Sequence, residues 1–184
     1  MLTAWGDESG SDPKRDPGTY MLAAALIDES DVPVVRKAMS KLKLPIEPKL
    51  HWHGSSEDRR MQLVKEVADL PILALVVVRN EIGAHDRRGR RKCLEHLLPN
   101  LAEMPCTTIT FESRGPRDAS DLDILQKFRA TKVISQGLRL DHIIGRSEPT
   151  LWAADIACGA VVQSRVGNPQ YLDRLGTAIN IIEI

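Results

Sequence analysis

The chain opens on Leu2-Thr3-Ala4-Trp5-Gly6, a run with the character of a strand, and passes directly into Asp7-Glu8-Ser9-Gly10, so two adjacent carboxylates close a segment that reads as buried. A polar turn rich in Pro and Gly, Ser11 to Gly18, leads to an apolar run from Thr19 to Ile27, the returning arm of a hairpin. Val32, Val35, Met39 and Leu42 then recur at helical spacing behind Ser30 and Asp31, with Pro33 tolerated in the first turn. The Pro-punctuated stretch from Leu44 to Pro48 ends that helix. Ser55-Ser56-Glu57-Asp58 has the form of a second helix start, with Met61, Val64, Val67 and Ala68 as its inner stripe.

Ile72 to Val78 is an unbroken apolar run, as in a strand covered on both faces. A third helix starts near Asp86 and buries Cys93, Leu94, Leu97, Leu98 and Leu101, and Pro99 is expected to kink or end it. Thr107 to Phe111 is the next strand, stopping at Glu112-Ser113-Arg114. Ser120-x-x-Asp123 reads as a capping box opening a helix to about Ile134, Leu138 to Ile144 as a strand, and Thr150 to Gln163 as the last helix with a clear pattern. Strands alternating with helices after an initial antiparallel hairpin predict an α/β layered fold with a mixed sheet and flanking helices. At 184 residues, without repeats or an obvious linker, a single domain over 1–184 is expected.

Composition narrows the function only slightly. The formal net charge is zero, so nucleic-acid binding has to rest on local rather than bulk charge. Cys93, Cys106 and Cys158 form no C-x-x-C pair, and their odd number suggests a reducing cytoplasm. No apolar run approaches the roughly 18 residues that span a bilayer, so no membrane partner is expected. The P-loop, the G-x-G-x-x-G turn and the nucleophile elbow are all missing from the sequence.

The chemistry sits in misplaced acids. Asp155 interrupts a helix that is otherwise apolar, Leu151-Trp152-Ala153-Ala154 before it and Ile156-Ala157-Cys158-Gly159 after it. An ionised carboxylate there needs a partner, a metal or a proton. Functional groups in open α/β sheets collect beyond the carboxyl ends of the parallel strands, where Asp7, Glu8, Glu112 and Asp155 can meet. Such a cluster repels itself unless divalent cations neutralise it, and all-oxygen ligation suits Mg²⁺ or Mn²⁺. Two ions about 4 Å apart support phosphodiester cleavage. The plainer reading has Asp7 capping a turn, Glu112 pairing with Arg114 and Asp155 accepting helix or loop hydrogen bonds.

Trp5-Gly6-Asp7-Glu8-Ser9-Gly10, the strand ending in Glu112-Ser113-Arg114, and Trp152-Ala153-Ala154-Asp155-Ile156-Ala157-Cys158-Gly159-Ala160 resemble a family of bacterial and phage domains of unknown function, numbered thirty-eight hundred. The resemblance implies a ribonuclease-H-like fold and a nuclease activity. It places the first acid of the family's Asp-Glu-Ser-Gly motif on Asp7, its middle acid, commonly Asp, on Glu112, and the acid of its Ala-Asp motif on Asp155. Ribonuclease-H-like enzymes often carry a further Glu on the helix after the third strand, for which Glu95 is the candidate, beside a role as partner of Arg91 or Lys92.

Lys49-Leu50-His51-Trp52-His53 puts two histidines on one side of an extended segment, either as a metal pair or with His51 alone at the rim of the acidic site. Arg87, Arg88, Arg90, Arg91 and Lys92 crowd the first turns of a helix, where positive charge opposes the dipole. Phosphates visiting that surface explain the misfit, with Arg88 or Arg91 positioning a backbone, and so does a solvated face paired with Asp86 and Glu95. Of the tryptophans, Trp52 alone lies in a loop where it can stack a base.

The expected protein is thus a cytoplasmic metal-dependent phosphodiesterase acting on DNA or RNA, with Asp7, Glu112 and Asp155 as metal ligands and Glu8 assisting. The alternative is a catalytically inactive ribonuclease-H-like module that binds nucleic acid or protein. The apolar tail Ala178 to Ile184 suits an edge strand, a homo-oligomer contact or core.

Overall fold

The computed structural model describes residues 1–83, 86–134 and 137–184. Strand β1 (Leu2–Gly10) pairs antiparallel with β2 (Thr19–Asp28), which pairs antiparallel with β3 (Leu73–Asn80). On the other side of β1 lie β4 (Cys106–Glu112) and then β5 (Arg139–Ile143), both parallel to it, and β6 (Ile179–Glu183) adds parallel to β3. The sheet order is β5-β4-β1-β2-β3-β6. Among the described residues no helix is long and apolar enough to cross a membrane.

Among the described residues six α-helices cover the two faces. Helices α1 (Val32–Leu42), α2 (Glu57–Ala68), α5 (Leu151–Arg165) and α6 (Gln170–Leu175) pack on one face, over Ala25 and Ile27 of β2. Helices α3 (Asp86–Glu103) and α4 (Ala119–Ala130) pack on the other, over Leu22, Ala24 and Leu26. The alternation along β2 is what a strand buried on both sides dictates, since successive side chains leave opposite faces. Its residues from Met21 to Ile27 are almost wholly buried.

Three elements depart from the sequence reading. Strand β1 does not stop at Gly6, because β2 continues to pair with it as far as Gly10↔Tyr20, so Asp7 and Glu8 lie inside the strand. Helix α3 runs through Pro99 to Glu103, since Leu97, Leu98 and Leu101 are fully buried against the sheet and outweigh the missing backbone bond. Ser120 lies inside α4, its Oγ donating to the Arg117 carbonyl at 2.7 Å, so the expected capping box is not formed. At α2 the reading holds, with the Ser56 side chain accepting from the Arg59 N–H at 3.3 Å. The tail forms the edge strand β6.

Candidate functional site

Parallel pairing of β1 with β4 sets Gly6 beside Phe111, which places the next residues, Asp7 and Glu112, near the carboxyl ends of neighbouring strands. Asp7 shares a face with its cross-strand partner Ala23, which α5 covers. Helix α5 can approach closely because its inner residues are small: Ala154, Ala157 and Cys158 lie on Met21, Ala23 and Val76. Cys158 Sγ stands 3.9 Å from the Asp7 carbonyl oxygen. That close approach carries Asp155 to the same end of the sheet.

The structure therefore brings Asp7, Glu112 and Asp155 into one electrostatic neighbourhood. Burial, reinforced by the charge of Asp155, pushes the Asp7 carboxyl well above the usual carboxylate range. Asp155 is raised too, chiefly by burial, while the Trp52 N–H that donates to its Oδ2 at 2.9 Å holds it back. Asp7 Oδ1 accepts the Glu8 N–H at 2.8 Å. Each of these two acids has one oxygen committed to a backbone donor and a second carrying no hydrogen bond among the described residues.

A loop between α1 and α2 closes over the acids and supplies a residue that sequence reasoning missed. Lys49 Nζ forms an ion pair with Glu112 Oε2, and its charge also acts on Asp7 and Asp155. The clue was available, because alternation along Lys49-Leu50-His51 puts Lys49 on the same side as His51. His51 is exposed, and its charge acts on Asp155. Trp52 is not a stacking surface. It is 5% exposed, lies edge-on to Tyr171 at 5.3 Å, and occupies the space above Gly159 that a Cβ would fill. Glu112 has a similar dependence on glycine, since a Cβ on Gly145 would overlap its carboxylate.

Glu8 does not join the other acids. Adjacent residues of a strand face opposite ways, so Glu8 emerges on the α3 face, where it pairs with Arg90 and Arg114. The basic residues of α3 are on that face as well: Arg88 lies 3.4 Å from Glu81, and Arg91 lies 3.2 Å from Glu95. Glu95 also pairs with Lys92 at 2.7 Å and stays with its own helix. Hence Arg88 and Arg91 do not flank the acids on their face of the sheet. Nor does Glu112 pair with Arg114, which lies among Glu8 and Asp121 instead.

The α5 face gathers carboxyl groups with a countercharge near them, Lys49. Two desolvated carboxyls whose ionised forms repel each other, each with a spare oxygen, are ligands of the kind that Mg²⁺ or Mn²⁺ accepts. Among the described residues no three His, Cys, Asp or Glu side chains stand in an arrangement that could hold a metal ion as placed, and Glu112 is turned toward Lys49.

No protein-family model matches the chain, and no curated protein does. Solved structures do match. One is ribonuclease HII from Archaeoglobus fulgidus in its complex with PCNA, at 14% identity and a TM-score of 0.51 over 95% of this chain and 76% of that one. Another is ribonuclease H2 from Pyrococcus horikoshii OT3, at 15% identity and a TM-score of 0.50 over 95% of this chain and 75% of that one. At such identities the likeness is one of fold, and the fold of this chain is ribonuclease-H-like.

Proposed function

We propose that the chain is a metal-dependent phosphodiesterase that cleaves DNA or RNA, and that it is a relative of the domain family numbered thirty-eight hundred. The observation that carries this reading is the pair Asp7 and Asp155, two desolvated carboxyls whose ionised forms repel each other, brought together beside β1 and the carboxyl end of β4 in a ribonuclease-H-like sheet. Holding them there costs stability in the absence of a cation, and a structural role does not account for that cost. Asp7, Asp155 and Glu112 would hold Mg²⁺ or Mn²⁺, which supplies Lewis acidity and a more acidic attacking water. To serve as a ligand Glu112 would have to leave its Lys49 partner, and Lys49 would then be available to neutralise a phosphate oxygen. Trp52 fixes the rotamer of Asp155 through its N–H, and His51 stands at the rim.

Calorimetric titration with Mn²⁺ tests the reading. Saturable binding is expected in the wild type and its loss in a folded Asp155→Asn protein; equal binding by both sinks the metal site. Gly145→Ala is expected to push the Glu112 carboxylate aside and weaken Mn²⁺ binding about tenfold, roughly 1.4 kcal/mol, with a cost to folding of about 1–3 kcal/mol. Unchanged affinity in that variant would remove Glu112 from the ligand set.

The Lys49–Glu112 ion pair favours a second reading, a catalytically inactive module in which the ammonium permanently takes the place of the cation. The same titration separates the two, because such a module binds no ion in either protein.

A further inference from the structure

On the α3 face, a cleft of about 790 Å³ opens between the end of β1, the first turn of α3 and the segment that leads into α4. Arg87, Arg114 and Arg117 line it, with Tyr20 as an aromatic wall. A second cleft of about 710 Å³ shares Arg87, Arg114 and Ser120 with the first and adds Arg88 and Arg91, so the two form one basic channel. Four acids line it, of which Asp86 and Asp123 are exposed and the other two are occupied by arginines. Glu8 is engaged by Arg90 and Arg114, and Asp121, 1% exposed, accepts from both of those arginines.

Arg114 is held in advance of any ligand. Its Nη2 donates to Asp121 at 3.1 and 3.2 Å, while its buried Nε has no hydrogen-bond partner. Arg87 and Arg117 are exposed and form no ion pair among the described residues. Fixed and unpaired guanidinium groups around one cleft are a receptor for phosphodiester oxygens.

The cleft and the acid site share the last residues of β1, with Asp7 directed to one face and Glu8 to the other. We infer that this basic channel binds the continuation of the same nucleic-acid strand, which turns around the end of β1, so that the substrate is single-stranded beside the cut. The phosphodiester chemistry of the ligand rests on the nuclease reading above. A chain passing between the two faces must reverse within a distance on the order of 10 Å, one layer spacing. Duplex DNA, with a persistence length of about 50 nm, does not make such a turn, whereas a single strand does. The arginines then grip the strand away from the reacting bond, and Tyr20 offers a face to a base.

Fluorescence anisotropy in chelator tests this without requiring catalysis. The probes are a labelled 12-nucleotide single strand, as DNA and as RNA, and the matching duplexes. The wild type is expected to bind a single strand more tightly than its duplex. The exposed pair Arg87→Glu/Arg117→Glu, checked for folding by circular dichroism, should weaken single-strand binding at least tenfold. It should also flatten the salt dependence, by about 0.7 in log–log slope for each phosphate no longer neutralised. Wild-type affinity in that variant, or preference for duplex, overturns the inference. So does equal competition by a polyglutamate peptide, which would reassign the channel to an acidic protein segment. If cleavage with Mg²⁺ fails while arginine-dependent binding persists, the nuclease reading falls and the strand channel stands; cleavage without arginine dependence is the reverse.

Discussion

Asp7→Asn is expected to abolish metal-dependent hydrolysis and, in the same protein, to stabilise the metal-free fold. Loss of a ligand carboxylate should lower the rate by at least about 10³-fold, some 4 kcal/mol of transition-state stabilisation. The stability gain follows from linkage. Burial and the Asp155 charge push the Asp7 carboxyl from 3.8 up to about 8, so between these values the native state binds a proton that the unfolded chain has released. Stability of the metal-free protein is therefore greatest at low pH in this window and falls as pH rises from about 4 to about 8. Asparagine keeps the oxygen that accepts the Glu8 N–H and has no charge to bury. The variant should gain on the order of 2–4 kcal/mol at pH 8 in chelator and show little of the pH slope. Urea unfolding at pH 5, 7 and 8 checks both points. A destabilised Asp7→Asn protein at pH 8 would mean that Asp7 holds the fold together and is not a ligand kept ready for a cation. In the wild type, Mg²⁺ should restore the stability that high pH removes, because binding requires the deprotonated acids.

The layered fold was legible because long apolar runs and helical stripes record burial directly. Val32 to Leu42 became α1 as read, and the run from Ile72 to Val78 became β3, which starts at Leu73 and continues to Asn80. What misled was local punctuation read without its tertiary partner. Pro99 speaks for a helix end, yet Leu97, Leu98 and Leu101 have a sheet to rest on, and nothing near Pro99 in sequence reveals it. The meeting of Asp7 with Asp155 was legible from two charges in apolar surroundings. The exclusion of Glu8 was legible as well, once β1 is known to continue through it, because strand period alone sends neighbours to opposite faces. Lys49 was harder to find, since a loop lysine is ordinarily solvated, and the loop is fixed above the acids by tertiary contacts, Trp52 packing over Gly159 and its N–H bonding Asp155.

Arg90 and Asp121 were the least legible residues, one hidden in a run of basic side chains and the other beside a supposed capping box. Their side chains are 3% and 1% exposed, and they face each other in a bidentate arrangement at 3.0 and 2.7 Å. Arg114 and His142 also reach Asp121, His142 Nε2 at 3.0 Å, so one carboxylate organises three donors under the basic channel. Burial alone would raise its pKa, but bonds from His142 and Arg90 and the charges of Arg90 and Arg114 hold it at about 2. Its contribution is present above the unfolded value of 3.8 and disappears only as pH falls through about 2. Asp121→Ala is expected to cost about 3–5 kcal/mol at neutral pH, because Arg90 stays buried with Glu8 as its remaining partner. Asp121→Asn should cost less, keeping shape and part of the bonding. Chemical denaturation at pH 7 and pH 3 measures both. A destabilisation under about 1 kcal/mol for Asp121→Ala would show that water reaches Arg90 and that the cluster does not brace the channel. The full effect would show that Arg114 is held in place by the fold itself, the condition on which a prepositioned guanidinium depends.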